Sequence, residues 1–261
     1  PWTGEDIKHV SNGAGYETIY GDQLAQAMRK ITNKIESHAA LTLSLGASRA
    51  IGTAGTTPFG SNFDEIAELR QVLVDNGMPL DGQATVAMNS SAGTKLRNLA
   101  QLQKVNESGG DSLLRRGELL NLQGLMLKES NGIANHVKGT ATGALVNGAL
   151  AIGATAIVFD GATAGATGIK AGDVVTFAGD ADNKYIVKTG LVGTDGTVTL
   201  QEPGLRVAIA NNAAITVGAS FTGNMFYHRN ALLLATRQPA MPEGGDEATD
   251  VETITDPVSG L

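Results

Sequence analysis

The stretch TAIVFDGATAGATGIKAGDVVTFAG, residues 155–179, decides the fold class of this 261-residue chain. Its short apolar runs are separated by glycine turns such as Asp160-Gly161 and Ala171-Gly172, a pattern typical of antiparallel strands. The pattern continues to about residue 223, with further turns at Asp195-Gly196 and Pro203-Gly204. It predicts five strands, over residues 155–159, 173–178, 184–192, 197–201 and 214–217. Short strands at this close spacing indicate a small antiparallel barrel.

A long helix is predicted upstream of the barrel, over residues 22–45. Apolar side chains recur there every three or four residues and therefore share one face: Leu24, Met28, Ile31, Ile35, Ala39 and Thr42. Charged side chains occupy the opposite face: Arg29, Lys30, Lys34 and Glu36. Asp22 is suited to cap the start of the helix and Gly46 to end it. A helix of this length would measure about 36 Å and is interpreted as a strut, preceded by an arm with loops over residues 1–21.

Two shorter helices are predicted between the long helix and the barrel. The first has Ser61 as its N-cap and Gly77 at its end, with Asp64 and Glu65 in its first turn, where negative charge favours a helix. Its expected buried face is Phe63, Ile66, Leu69 and Leu73. The second is capped by Asn89, Ser90 or Ser91. Its expected buried side chains are Leu96, Leu99 and Leu102.

Strand and loop patterns complete the chain. A strand is predicted over residues 83–88, one or two strands over 119–129, and a strand or helix over 224–234. Polar loops are expected at residues 106–111 and, with acidic character, at 243–250. The simplest arrangement of these elements is a β domain inserted into a loop of an α+β domain.

Composition excludes several classes of protein. The net charge of −7 disfavours nucleic acid as the main partner, and the absence of cysteine excludes disulfides and thiolate metal sites. No apolar stretch is long enough to span a bilayer, and no signal peptide is recognisable. Charged residues make up 17% and glycine 34 of the 261 residues, which suits many turns and extended interfaces. Because the chain starts at Pro1 and stops after a turn at Leu261, we expect one or both ends of a longer protein to be missing.

No motif predicts catalysis. A P-loop and a dinucleotide fingerprint are absent, since Gly161, Gly165 and Gly168 lack the required spacing. The segment Asn89-Ser90-Ser91-Ala92-Gly93 approaches a nucleophile elbow but is better explained as a helix cap. The histidines lie far apart in sequence and show no metal-binding spacing: His9, His38, His136 and His228. We therefore predict that the chain is not an enzyme and that it carries no catalytic, cofactor-binding or metal-binding residue and no cofactor.

Two other kinds of site were weighed. Two basic residues are direct neighbours in sequence, Arg115 and Arg116. They are interpreted as part of a solvated turn rather than as a nucleic-acid contact. An adhesin or tail protein with a small β carbohydrate-binding module would place aromatic rings at the barrel loops. The available aromatic residues are expected mostly in the core: Phe159, Phe177, Tyr185 and Phe221. A hydrolase with dispersed catalytic residues is a further alternative that no motif supports.

Four segments, in this order, resemble the coat proteins of P22-like tailed phages. Residues 24–50 resemble the long spine helix of that family and its exit, and residues 140–149, TATGALVNGA, the start of its inserted domain. Residues 169–179, IKAGDVVTFAG, are similar to a turn and strand of the inserted barrel. Residues 223–232, GNMFYHRNAL, running to QPAMP at 238–242, look like the return to the main domain. The order and spacing of the segments around a β insertion carry the resemblance.

The resemblance implies a Hong Kong 97 (HK97) type capsid fold. It assigns residues 1–21 to an arm or loop remnant, 22–60 to a peripheral domain with the spine helix, and 61–135 to the first part of an axial domain. Residues 136–223 would be the inserted β-barrel domain, and 224–261 the return through the axial domain. It also implies a virion subunit that assembles in the bacterial cytoplasm into pentamers and hexamers, with a scaffolding protein, a portal ring and packaged double-stranded DNA as partners. The family's N-terminal arm and extended loop would precede Pro1.

Overall fold

A computed structural model shows a mixed α+β protein with few helices and several sheets. It describes residues 3–5, 8, 16–104, 116, 117, 119, 121–163, 167–235 and 237. For residues 16–20 the description covers the backbone and not the side chains. Contacts divide the chain into two units, Pro1–His38 with Leu233–Leu261, and Ala39–Leu232. The predicted loops at 106–111 and 243–250 lie outside the described residues. Among the helices that are described, none is both long and apolar enough to cross a membrane.

The long helix runs over Tyr16–Gly46. It begins before the predicted start at Asp22, so the prediction of an arm through residue 21 is wrong for residues 16–21. The reason is that Gly21, the one helix-weakening residue there, costs only about 1 kcal/mol in a helix and does not stop it. The predicted end at Gly46 is confirmed.

The apolar face of the long helix is largely exposed. Leu24 is 42% exposed and Ile31 57%, whereas Met28, Ile35 and Ala39 are half-buried. The periodicity therefore predicted the helix correctly, but it did not show whether the apolar row has a partner. Within Ala39–Leu232, Ala40 is the buried residue of the helix.

Twelve strands follow in the part of the chain that the structure describes. They are β1 (Arg49–Ala50), β2 (Ala84–Met88), β3 (Met126–Glu129), β4 (Asn135–His136), β5 (Leu145–Val146), β6 (Ala156–Asp160), β7 (Val174–Phe177), β8 (Asp180–Thr189), β9 (Gly196–Leu200), β10 (Ile215–Val217), β11 (Phe221–Thr222) and β12 (Met225–His228). A 3₁₀ turn, Arg229–Ala231, follows β12.

A three-stranded sheet forms the first core. β2 lies at its centre, with β3 parallel on one side and β12 antiparallel on the other. The helices Asp64–Asp75, Ser90–Arg97 and Ala100–Gln103 bury their apolar residues against it. The cluster contains Phe59, Ile66, Leu69, Leu73, Ala84, Val86, Met88, Ala92, Leu96, Leu99, Leu102, Leu125 and Leu127.

The helix Asp64–Asp75 begins later than expected. Ser61 was predicted as the N-cap, but the cap position is Phe63, which makes no side-chain bond. The side chain of Asn62 binds the carboxylate of Asp64 instead, so a local amide–carboxylate pair replaces the serine cap. The predicted end at Gly77 is confirmed, since its N–H donates to the carbonyl of Val74 at 2.9 Å and its φ is 84°.

Asn89 caps the helix Ser90–Arg97, as one of the three predicted candidates. Its Oδ1 accepts the N–H of Ala92 at 3.0 Å. We expect Asn89→Ala to lower the free energy of unfolding by about 1 kcal/mol, because that N–H loses its partner. Urea unfolding followed by circular dichroism measures the change. Ser90→Ala, at an exposed neighbouring position, is the control, and an equal loss in both variants would contradict the role of the cap.

The barrel-like sheet is nearly closed. Its strands follow the order β10-β7-β8-β9-β6-β5, and a bridge between Leu145 and Ala214 links its two ends. All five predicted strands are present, although β8 begins at Asp180 rather than at 184. β1 adds to β8 from outside the predicted barrel, a pairing the sequence pattern did not predict. Buried side chains fill the interior: Val146, Ile157, Phe159, Ile169, Val175, Phe177, Tyr185, Val187, Val198, Leu200, Leu205 and Ile209.

A two-stranded ribbon connects the barrel to the three-stranded sheet. β4 pairs antiparallel with β11, with His136 opposite Phe221 and Asn135 opposite Thr222. The chain enters the barrel after β4 and leaves it before β11, and β11 is followed almost at once by β12. Strands β5 to β10 thus belong to the barrel-like sheet, which β1 joins, and not to the three-stranded sheet. We call the β4–β11 ribbon the neck.

Candidate functional site

The buried carboxylate of Asp173 is the polar centre of the neck. Its side chain is inaccessible to solvent, and it accepts the N–H of Lys170 at 2.7 Å and that of Gly139 at 3.0 Å. Nε2 of His136 lies 2.8 Å from its other oxygen. Asp173 immediately precedes β7, so one carboxylate joins a barrel turn to the strand and the loop that lead into the barrel. These contacts hold the barrel turn in a fixed position relative to β4 and to the loop that follows it.

The neck is tightly packed around His136. The ring of His136 lies 5.2 Å from the ring of Phe221 across the ribbon. Gly172, with φ of 88°, approaches it so closely that a Cβ atom there would lie 3.0 Å from the ring. Nζ of Lys170 also donates to the carbonyl of Val137 at 2.9 Å. Residues of the barrel and residues of the neck therefore both contribute to the attachment between them.

Gly139 lies very close to a neighbouring stretch of backbone. A Cβ atom on Gly139 would lie 2.1 Å from the carbonyl oxygen of Gly168. We expect Gly139→Ala to lower the free energy of unfolding by about 2 kcal/mol, because the backbone must shift to accept a methyl group. Thermal unfolding measures the loss. Gly60→Ala is the control, since Gly60 faces open space without a positive φ; if both variants melt alike, Gly139 is not constrained.

A buried arginine lies where the chain leaves the long helix. Arg49, in β1, is 5% exposed, and its guanidinium carbon lies 4.6 Å from the centroid of the Tyr185 ring, within range of a cation–π interaction. Nη2 donates to the carbonyl of Gly204 at 2.9 Å. Nε and Nη1 are buried and have no partner among the described residues. Burial lowers the pKa of Arg49.

Tyr185 joins this arginine to a buried carboxylate. Its hydroxyl donates to Oδ2 of Asp180 at 2.5 Å and accepts the N–H of Arg206 at 3.0 Å. The other oxygen of Asp180 accepts Nδ2 of Asn183 at 2.7 Å. Burial, aided by the hydrogen bond to Asp180, raises the pKa of Tyr185 to about 12. The cluster fastens β1 to the barrel at neutral pH.

A cavity of about 870 Å³ adjoins this cluster within Ala39–Leu232. The chain leaving the long helix, the helix Asp64–Asp75, the barrel and β12 all contribute to its wall. Its lining is mainly apolar and includes Ile51, Phe59, Leu69, Val86, Ile186 and Phe226. Arg49 and Glu65 are charged groups in this wall, and Oε2 of Glu65 is buried without a partner in the described chain.

The histidines singled out in the sequence do not come together. His136 binds Asp173 in the neck, whereas Nε2 of His228 lies 3.1 Å from Asp81. His38 is exposed, and His9 lies outside the described residues. Across the described ranges, no group of three or more His, Asp or Glu side chains is placed to hold a metal ion.

The other candidates lie on separate elements. Asn89 to Gly93 form the helix cap that was proposed for them. Arg116 is exposed, and Arg115 lies outside the described residues. Phe159, Phe177 and Tyr185 are buried in the barrel core, as expected, and Phe221 packs in the neck. These four aromatic residues therefore present no platform for a sugar at the barrel loops.

Comparison with known proteins gives little further information. No family model matches the sequence, and no curated protein does. Among solved structures, a chain of Mycobacterium phage Che8 is similar with a TM-score of 0.38 and 17% identity, over 82% of this chain and 62% of that chain. The class that the structure itself defines is a mixed α+β protein with a nearly closed barrel-like sheet.

Proposed function

We propose that the chain is a structural protein, the major capsid subunit of a tailed phage with an HK97-type fold. The observation that carries the proposal is the topology: a barrel is spliced into the chain through one neck, between β3 and β12 of another sheet. The four sequence segments that resemble P22-like coat proteins fall in matching order, with residues 140–149 at the start of the barrel, where they include β5, and residues 223–232 after its last strand. The domain boundaries 22–60, 61–135, 136–223 and 224–261 belong to this proposal.

In this proposal the protein acts through its shape and its contacts with other copies of itself. Copies associate into pentamers and hexamers and close an icosahedral shell, in which many weak contacts act together. The partners proposed are further copies of the chain, a scaffolding protein, a portal ring and packaged double-stranded DNA, the last in contacts without sequence specificity. The place of action is the virion, after assembly in the host cytoplasm. No catalytic step is part of the proposal.

The structure suggests which element flexes when such a shell expands. Nε2 of Gln201 donates to the carbonyl of Leu45 at 2.6 Å, and β1 is paired with β8. These contacts hold Leu45 and residues 49–50, on the two sides of Gly46, against the barrel. They favour bending of the exposed part of the long helix over opening of the loop that follows it.

Electron microscopy tests the proposed function. The protein is expressed together with a scaffolding protein of a P22-like phage and examined by negative staining. Closed shells with five-fold and six-fold clusters are expected. Particles that never exceed a monomer, together with binding to a glycan array, would favour the carbohydrate-binding alternative and overturn the capsid proposal.

A further inference from the structure

The polar face of the long helix carries a local excess of positive charge. Residues 23–35 contain Arg29, Lys30 and Lys34 and no acidic residue, so this segment has a charge of +3 in a chain of net charge −7. All three side chains are exposed, and they lie within about 7.5 Å of one another along the helix axis. No hydrogen bond or ion pair joins them to another described residue. We call these three side chains the basic face.

The basic face differs from an ordinary solvated helix face. Exposed helices typically place opposite charges three or four residues apart, where they attract each other. None of the three cations has an acidic residue at either spacing, and Lys30 and Lys34 are themselves four residues apart. Like charges at this spacing repel and destabilise a helix. The basic face would therefore be stabilised by an anionic partner.

Double-stranded DNA has the charge and the spacing that the basic face requires. A duplex carries one phosphate per about 1.7 Å of its axis, so about four phosphates lie along the length that the three cations span. Lysine and arginine are among the side chains that bind such phosphates, and these contacts carry no sequence information.

An anionic membrane fits the same helix less well. Binding of an amphipathic helix to a bilayer grows with the apolar area that it buries, and Trp, Phe and Leu supply most of that area. Residues 21–46 contain no Trp, Phe or Tyr. In the apolar row of the helix, Met28 and Ile35 are already half-buried, which leaves Leu24 and Ile31 as its largely exposed members.

We propose that the basic face contacts the phosphates of double-stranded DNA without reading its sequence. The choice of DNA rests on the proposed function, in which a shell encloses packaged DNA, and it assigns this side of the long helix to the interior of the shell. The contact of one subunit is weak because only three charges make it. Many copies in one shell act on the same DNA, so the weak contacts add up.

Fluorescence anisotropy with a short labelled duplex measures the contact on the full chain. A protein that neutralises three phosphates gives a slope of about −2.7 for log affinity against log salt. The affinity of the wild type should therefore fall about 40-fold between 10 and 40 mM NaCl. Absence of binding at 10 mM NaCl, or binding that does not respond to salt, would overturn the proposal. This measurement needs no variant.

Neutral variants locate the contact on the helix. Glutamine has nearly the same helix propensity as lysine and arginine, so the test variant retains the helix: Arg29→Gln/Lys30→Gln/Lys34→Gln. At 10 mM NaCl it should bind the duplex at least about tenfold more weakly than the wild type and lose most of the salt dependence.

A matched control changes the net charge equally at exposed positions on other elements: Lys95→Gln/Lys128→Gln/Lys188→Gln. It should lose less than about threefold in affinity, through the longer range of charge at low salt. Equal losses in the two triple variants would mean that net charge alone determines binding, and the inference would then be wrong.

The inference and the capsid proposal can fail separately. Closed shells formed by a wild-type protein that does not bind the duplex would refute the inference and leave the capsid proposal intact. Binding of the duplex through the basic face by a protein that never forms shells would do the reverse. Co-sedimentation with phosphatidylserine vesicles in the absence of DNA binding would assign the basic face to a membrane and refute the inference.

Discussion

Replacement of Asp173 by asparagine is expected to lower the free energy of unfolding by about 3 kcal/mol. The carboxylate accepts from Gly139, Lys170 and His136, and it is inaccessible to solvent. Asparagine offers one acceptor oxygen, and its NH₂ group would face an N–H donor. At least one buried amide then loses its partner, which costs about 1–3 kcal/mol in addition to the lost charge-assisted hydrogen bonds.

Urea unfolding of the wild type and of Asp173→Asn at pH 7 measures this loss. The matched control is Asp182→Asn, at an exposed carboxylate in β8, which should change the free energy of unfolding by less than about 0.5 kcal/mol. Similar values for the two variants would show that the carboxylate of Asp173 does not hold the barrel to its neck.

Stability is expected to fall between pH 10 and pH 12 because of Tyr185. Its pKa is about 12 in the folded protein, against 10.0 for a free phenol. A pKa raised by folding means that the unfolded chain loses the proton first, so the contribution of Tyr185 is complete below pH 10 and is lost as the pH rises towards 12. The shift corresponds to stabilisation on the order of 3 kcal/mol.

Urea unfolding at intervals from pH 9 to pH 12 follows this loss. Tyr185→Phe should show a shallower decline over the same window, because phenylalanine does not ionise. Lysine titration affects both proteins alike and cancels in their difference. Burial also raises the pKa of Tyr227 in β12, so Tyr227→Phe is the comparison variant, and it should flatten the decline less than Tyr185→Phe because burial alone acts on its phenol. A curve for Tyr185→Phe that parallels the wild type would refute the role assigned to its hydroxyl.

Local sequence patterns predicted the elements that local interactions determine. The five barrel strands were found because each couples an apolar run to a glycine turn, and the helix end at Gly77 because a residue with positive φ is needed there. Strand β5 and strand β1 have two residues each, too few to show a period. Strand β1 was therefore not predicted, and the pairing of Arg49 with Tyr185 was not foreseen.

Contacts between distant residues were beyond prediction. Asp173 was predicted as the first residue of a strand, but the donors that give it a role include His136 and Gly139, which lie 37 and 34 residues away in sequence. The exposure of Leu24 and Ile31 could not be predicted either, because a periodic apolar face shows which side can be buried and not what covers it. The unpartnered atoms of Arg49 and Glu65 appear only once the cavity is assembled.

The neck also makes the barrel exchangeable. His136 and Phe221 are directly paired, and paired residues in an antiparallel ladder have Cα atoms about 4.5–5.5 Å apart. A foreign domain whose termini lie at that separation could be grafted in place of the barrel without stretching the rest of the chain. Arg49 would need replacement in the same chimera, because the ring that covers its guanidinium, Tyr185, would be removed.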